Sequence, residues 1–294
     1  MVERAADLSP VDASNILWAY AKVGKADKRV FAPVGLLVEA HASDMPPGSL
    51  CMIAWSFARA SLPSARVFGA VSSALAPRVD RLRPHELGVV AWAFAKAGAA
   101  HDELFRALGD VLPDRVRYMD ARSMSLVAWA YGRLEFPDGR VFGALAQGFR
   151  GHWGDADATI ITRVLWAFSA CGMRDPAVFK ACSRHVRELA PSMNAYQLVT
   201  AVRAYEDAGF QDLAVYADIA AAARNVAGDM TATQLEQALL AFSSAGMDSQ
   251  PAVDDLLGEA ERRAAEAGGV QKWVARLEAR GAAQGSAQLK RQQQ

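Results

Sequence analysis

The stretch NILWAYAKVG, Asn15 to Gly24, decides the fold, because it returns six times at a spacing of thirty-seven residues. It reads MIAWSFARAS from Met52, VVAWAFAKAG from Val89, LVAWAYGRLE from Leu126, RVLWAFSACG from Arg163, TAVRAYEDAG from Thr200 and QALLAFSSAG from Gln237. Trp18, Trp55, Trp92, Trp129 and Trp166 share one column, which continues as Arg203 and Leu240. A strict period of this length is the signature of supersecondary units that cannot bury their apolar faces alone and must stack. The expected class is all-α, an α-solenoid of about seven 37-residue helical hairpins over residues 8–268.

Working outward, the column Ser9, Pro46, Arg83, Asp120, Asp157, Asn194 and Thr231 precedes each quoted stretch. Five of these residue types accept a hydrogen bond from free helix-start amides, which predicts the N-cap of a first helix, A. Apolar residues before the cap and at the fourth helical position, such as Met45 with Leu50, form hydrophobic staples, and Asn194 with Gln197 and Thr231 with Gln234 have capping-box spacing. Gly24, Gly98, Gly172, Gly209 and Gly246 close the helix in left-handed conformation, giving helix A about fourteen residues, 10–23 in the first repeat. A second cap column, Asp27, Ser64, His101, Asp138, Asp175, Asp212 and Ser249, begins helix B after turns of two to four residues. The aromatic column Phe31, Phe68, Phe105, Phe142, Phe179 and Tyr216 gives helix B its buried stripe. Ala260 to Ala279 is expected to form an extra terminal helix, with 269–280 as the C-terminal cap and 281–294 as a disordered tail.

Of 294 residues, 52% are apolar, enough for one elongated stacked interior. No apolar run approaches a membrane span, and no membrane partner is expected. Cys51, Cys171 and Cys182 have no metal-ligand spacing and stand where other repeats place small or apolar residues, so they read as reduced structural residues. Gly-rich phosphate loops, paired carboxylates and a nucleophile beside a placed histidine do not occur at a credible site, so no catalytic residue, cofactor or metal is assigned. The Asp254, Asp255 pair reads as a solvated helix start.

On a helical wheel the columns of Ala13, Ile16, Leu17 and Tyr20 face helix B, whereas those of Val11, Asn15, Trp18 and Lys22 cluster within about 60° on the opposite face. That face is expected to be the concave binding surface. Its first column reads Val11, Gly48, His85, Arg122, Thr159, Tyr196 and Thr233; its second reads Asn15, Met52, Val89, Leu126, Arg163, Thr200 and Gln237. Its last reads Lys22, Arg59, Lys96, Arg133, Ala170, Asp207 and Ser244, so four consecutive repeats present a cation at one point. A row of cations beside a row of indoles suits a single strand, because cations follow phosphates and flat rings stack on bases. The polar members Asn15, His85, Arg122, Arg163, Thr200 and Gln237 are then the candidate base readers, with Trp18, Trp55, Trp92, Trp129 and Trp166 as candidate stacking rings. One nucleotide per repeat gives a site of about seven, in which the second repeat, with Gly48 and Met52, is expected to tolerate any base.

Plainer readings stand beside these. A cation in the last turn of a helix is favoured by the helix dipole whatever the protein does. Tryptophan at a structural period commonly packs between neighbouring helices. Equal numbers of basic and acidic residues, 32 each, leave no global positive charge to supply non-specific nucleic-acid affinity, so any such binding must be local.

The recurring WA(F/Y) core on a 37-residue hairpin resembles the heptatricopeptide repeat proteins of organelles and is similar to the octotricopeptide repeat and FAST kinase-like families, from about Leu8 to about Gly268. The resemblance implies binding of organellar mRNA or rRNA in processing, stability or translation, chiefly in the mitochondrial matrix and otherwise in plastids. Some members are mitochondrial ribosome proteins, so a scaffold that binds a ribosomal or other protein along the same groove is the alternative. Many members end in an endonuclease-like RAP domain; no such domain is read after Gly269, and its activity is not carried over. MVERAADLSP is not an Arg-rich, acid-poor presequence, so the chain is expected to be a fragment or an incomplete gene product.

Overall fold

The computed structural model describes residues 8–266, and in them the chain forms seven helical hairpins and no strand. The first helices are α1 (Pro10–Lys22), α3 (Pro47–Arg59), α5 (Pro84–Ala97), α7 (Ala121–Arg133), α9 (Ala158–Ala170), α11 (Ala195–Ala208) and α13 (Ala232–Ser244). The second helices are α2 (Lys28–His41), α4 (Ala65–Leu75), α6 (Asp102–Arg115), α8 (Gly139–Phe149), α10 (Pro176–Leu189), α12 (Leu213–Asn225) and α14 (Pro251–Glu266).

Helix starts follow the cap column. Ser9, Asp120, Asp157, Asn194 and Thr231 each accept the backbone N–H three residues on. Asn194 and Gln197 exchange two bonds of 3.0 Å, and Thr231 with Gln234 closes a second reciprocal box. α5 has no accepting cap side chain; instead the Glu86 carboxylate reaches back to accept the Arg83 backbone N–H and guanidinium, both at 2.7 Å. At the helix ends the five glycines have φ of +67° to +72°, and the two repeats without glycine force Ser61 and Glu135 into the same region, at +53° and +52°. An L side chain there costs on the order of 1 kcal/mol.

Several boundaries differ from expectation for physical reasons. Helix A stops one residue early, at Lys22 in the first repeat, because the chain turns before the left-handed glycine. The A–B links run four to six residues, since each must hold both the left-handed position and the next cap. Ser249 does not cap α14: Val253 and Asp254 donate to the Gln250 carbonyl, because Pro251, lacking an N–H, takes the first helical position. A 3-10 turn, such as Ala42–Asp44, follows each of the first six B helices. Rather than a new helix starting at Ala260, α14 continues unbroken through it to Glu266; the remainder of that segment, the 269–280 cap and the 281–294 tail lie outside the described residues.

Residues up to Ala156 and from Asp157 form two compact units, and the division falls between the fourth and fifth hairpins. In the first unit α1, α3, α5 and α7 lie side by side in one layer, backed by α2, α4, α6 and α8; in the second, α9, α11 and α13 are backed by α10, α12 and α14. The core is the seam between layers. Leu50, Ile53, Leu87, Val90, Met124 and Val127, all in the columns assigned to face helix B, are fully buried. Within the first unit a B-helix ring meets the A-helix ring of the next hairpin edge to face: Phe31 with Phe57 at 5.1 Å, Phe68 with Phe94 at 4.9 Å and Phe105 with Tyr131 at 5.3 Å. Small residues let the A layer close up; a Cβ on Gly88 would lie 2.8 Å from the Ser123 carbonyl oxygen of α7.

A further tie was not read from the sequence. The Arg78 guanidinium donates to the carbonyls of Met45 (3.2 Å) and Ala42 (3.3 Å), closing the end of the preceding hairpin. Arg263, five repeats later in the same column, does the same to Met230, Ala227 and Gly228.

Two outcomes check this packing. Phe94→Ala is expected to cost about 3–5 kcal/mol in chemical denaturation, while circular dichroism shows a helical protein without sheet; a loss under about 1 kcal/mol would mean the ring is not buried in solution. Ser61→Gly and Glu135→Gly should each raise stability by about 0.5–1 kcal/mol, by relieving left-handed strain; destabilisation by either would show that the side chain makes contacts outweighing the strain.

Candidate nucleic-acid interface

The A layer exposes the face opposite helix B in successive turns: cation row, indole row, then the two variable columns. Lys22, Arg59, Lys96 and Arg133 each stand in the last turn of α1, α3, α5 and α7, and all four are exposed. Among the described residues none of the four carries an ion pair, whereas arginines elsewhere do: Arg29 with Asp27, Arg83 with Glu86, Arg106 with Asp102 and Arg140 with Asp110. Dipole compensation explains why each cation suits its helix end. It leaves their charge unneutralised on one face of one unit.

The indoles are divided between packing and solvent. Trp18 is 39% exposed, and Trp55, Trp92, Trp129 and Trp166 are half-buried, each with part of its ring in the A layer and part open. Lys22 Nζ sits 4.5 Å from the Trp18 ring centroid, so the cation and indole rows touch in the first hairpin.

The variable columns are accessible throughout. Val11, His85, Arg122, Thr159, Tyr196 and Thr233 are exposed and Gly48 is half-buried; Asn15 is exposed, and Arg163, Thr200 and Gln237 are half-buried. The Thr200 hydroxyl donates to the Tyr196 carbonyl at 2.7 Å, which leaves it to act as an acceptor. His85 lies within electrostatic reach of both Glu86 and Asp120 and helps to hold their carboxyls below the usual range, although for both the largest single influence, burial, works the other way.

Each unit has a cleft on this face. The first, of about 400 Å³, opens between α1, α3 and α5 and is bordered by Asn15, Trp18, Gly48, Met52, Trp55 and His85. The second, of about 200 Å³, lies on α9, α11 and α13 and is bordered by Trp166, Tyr196, Thr200, Arg203, Asp207 and Gln237. Asn15 and His85 thus border the first cleft and Thr200 and Gln237 the second, while Arg122, Arg163 and the row cations Lys22, Arg59, Lys96 and Arg133 border neither.

The cation column is not cationic in the second unit. In the second unit Asp207 takes the position of the cation row, and Glu206 occupies a column that holds Ala21, Ala58 and Ala95 in the first three repeats. Burial pushes the Glu206 carboxyl up, against the bond donated by the Ser244 hydroxyl at 2.9 Å. Over the described residues the first unit has 17 Lys and Arg against 14 Asp and Glu, and the second has 9 against 15. The Asp207 substitution is visible in the sequence; the cleft it borders is not.

Cys51 and Cys182 are buried, whereas Cys171 is half-buried. Burial pushes Cys51 and Cys182 far above the ordinary thiol range, which keeps them neutral. Among the described residues no three His, Cys, Asp or Glu converge as metal ligands, and no helix is long and apolar enough to cross a membrane.

Residues 102–268, from α6 to the last hairpin, match the family model of the RNA-editing substrate-binding complex 6 protein. That stretch is more than half of the chain, and the chain belongs to this family. Comparison with curated proteins gives no match.

Proposed function

We propose that the protein is a non-enzymatic, organellar RNA-binding repeat protein of the mitochondrial matrix, with plastids as the alternative compartment, acting in RNA processing, stability or translation within a ribonucleoprotein assembly. The family name, RNA-editing substrate-binding complex 6, supports an RNA-handling assembly. The heptatricopeptide-like period supports an organellar setting. The observation that carries the reading is the row Lys22, Arg59, Lys96 and Arg133, exposed, not ion-paired among the described residues, and one helical turn from the indoles. A single strand laid across α1 to α7 places phosphates on the row and bases toward the indoles, the arrangement of sequence-tolerant single-strand binders.

A second reading has its own observation. In the second unit Asp207 stands in the cation column, and over the whole unit acidic residues outnumber basic ones, which disfavours phosphate and suits a protein surface, so a scaffold role along that unit is the alternative. Both roles fit one chain in which the first unit holds RNA and the second docks a protein.

Changing Lys22, Arg59, Lys96 and Arg133 together to Ala is expected to weaken single-stranded RNA binding and to lower the slope of log affinity against log salt by about 0.7 for each phosphate that is no longer neutralised. Circular dichroism should stay that of the parent. An unchanged slope in the folded variant would reduce the row to dipole-satisfying helix ends and leave the scaffold reading.

A further inference from the structure

A cleft opens on the A layer of the first unit, and Gly48 of α3 stands on its border. In the first variable column Gly48 stands between Val11 of α1 and His85 of α5, and the next unit of that column carries Arg122. Gly48 has a local structural reason: a Cβ there would lie 3.0 Å from Glu86 Oε1, whose carboxylate is fixed by the two bonds from Arg83. The recess it borders holds about 400 Å³, within the range of small-ligand sites.

The lining fits a flat heteroaromatic ring. Trp18 and Trp55 present indoles from adjacent helices, and Met52 and the buried Cys51, its thiol held neutral, give an apolar floor. Asn15, exposed at the rim, offers a paired amide donor and acceptor, the combination that reads an adenine edge. The cation row begins one helical turn beyond the indoles, about 6 Å along the helix axis. A sugar-phosphate chain on Lys22 and Arg59 therefore passes beside the recess.

We propose that this recess is a nucleobase slot, taking one unstacked purine of a bound single strand between Trp18 and Trp55 with its edge at Asn15. It lies outside the stretch matched by the family model. The proposal rests on the RNA reading above and sharpens it: discrimination concentrates at the first three hairpins, and the second hairpin, expected from sequence to accept any base, becomes the place where a base enters.

The test uses the full chain, with fluorescence anisotropy of labelled decaadenylate and of a decamer having the same sugar-phosphate chain without bases. The parent is expected to bind decaadenylate about tenfold tighter or more, the scale of a stacked base. Met52→Trp, which fills the recess, and Trp18→Ala, which removes an exposed wall, should each bring the two affinities within about twofold while keeping the parent's salt slope. Tyr196→Ala, on the second unit, should leave the preference intact. Equal binding of both decamers by the parent, with a steep salt slope, overturns the slot and leaves backbone binding standing. An equal loss of preference in Tyr196→Ala overturns it in favour of stacking spread along both units. Failure of both decamers to bind at low salt removes the RNA reading and the slot with it.

Discussion

The edge-to-face contact between a B-helix ring and the A-helix ring of the following hairpin is the interaction on which the rest depends. A lone hairpin of about thirty residues buries too little apolar surface to offset its conformational entropy. Phe31 against Phe57, Phe68 against Phe94 and Phe105 against Tyr131 make each of the first four hairpins a wall of its neighbour's core. The Arg78 and Arg263 guanidinium ties add donors to the 3-10 turns at the ends of the preceding hairpins.

Function then follows from what a stacked layer leaves outside. One helix face is consumed by the seam, and its flanks are consumed by close approach to the neighbouring A helices, as Gly88 against Ser123 shows. What remains is a strip bearing Lys22, Trp18, Asn15 and Val11 and their equivalents, copied at each step. Repetition turns a single weak feature into an array: one helix-end cation contributes little, but four in register follow a polyanion. Departures from repetition are equally informative. Ala170, Asp207 and Ser244 follow the four cations in their column, and Gly48 stands on the border of a recess.

How much of this was legible in the chain depends on the range of the physics involved. Caps, staples, capping boxes and left-handed glycines are decided within a few residues, and Ser9, Asn194 with Gln197, and Gly98 behave as their sequence neighbourhoods dictate. Column periodicity is long in extent but simple in form, so Leu87, Val90 and Phe94 could be placed in the core from letters alone. Ser249 failed as a cap because a local rule, proline at the first helical position, outweighed the column.

The sequence by itself determined the all-α hairpin repeat, its period, the buried and open faces, and the rows of residues along the open face, because each of these is a short-range preference written thirty-seven residues apart. Only the tertiary structure decided which cations stay unneutralised, how far the indoles are covered, that Arg78 reaches back to Ala42 and Met45, and that Gly48, Trp18 and Trp55 border one cleft. Those properties depend on distances between helices that are neighbours in space and more than thirty residues apart in sequence. Side-chain reach, packing and the position of fixed groups such as Glu86 set them, and no local pattern encodes such distances.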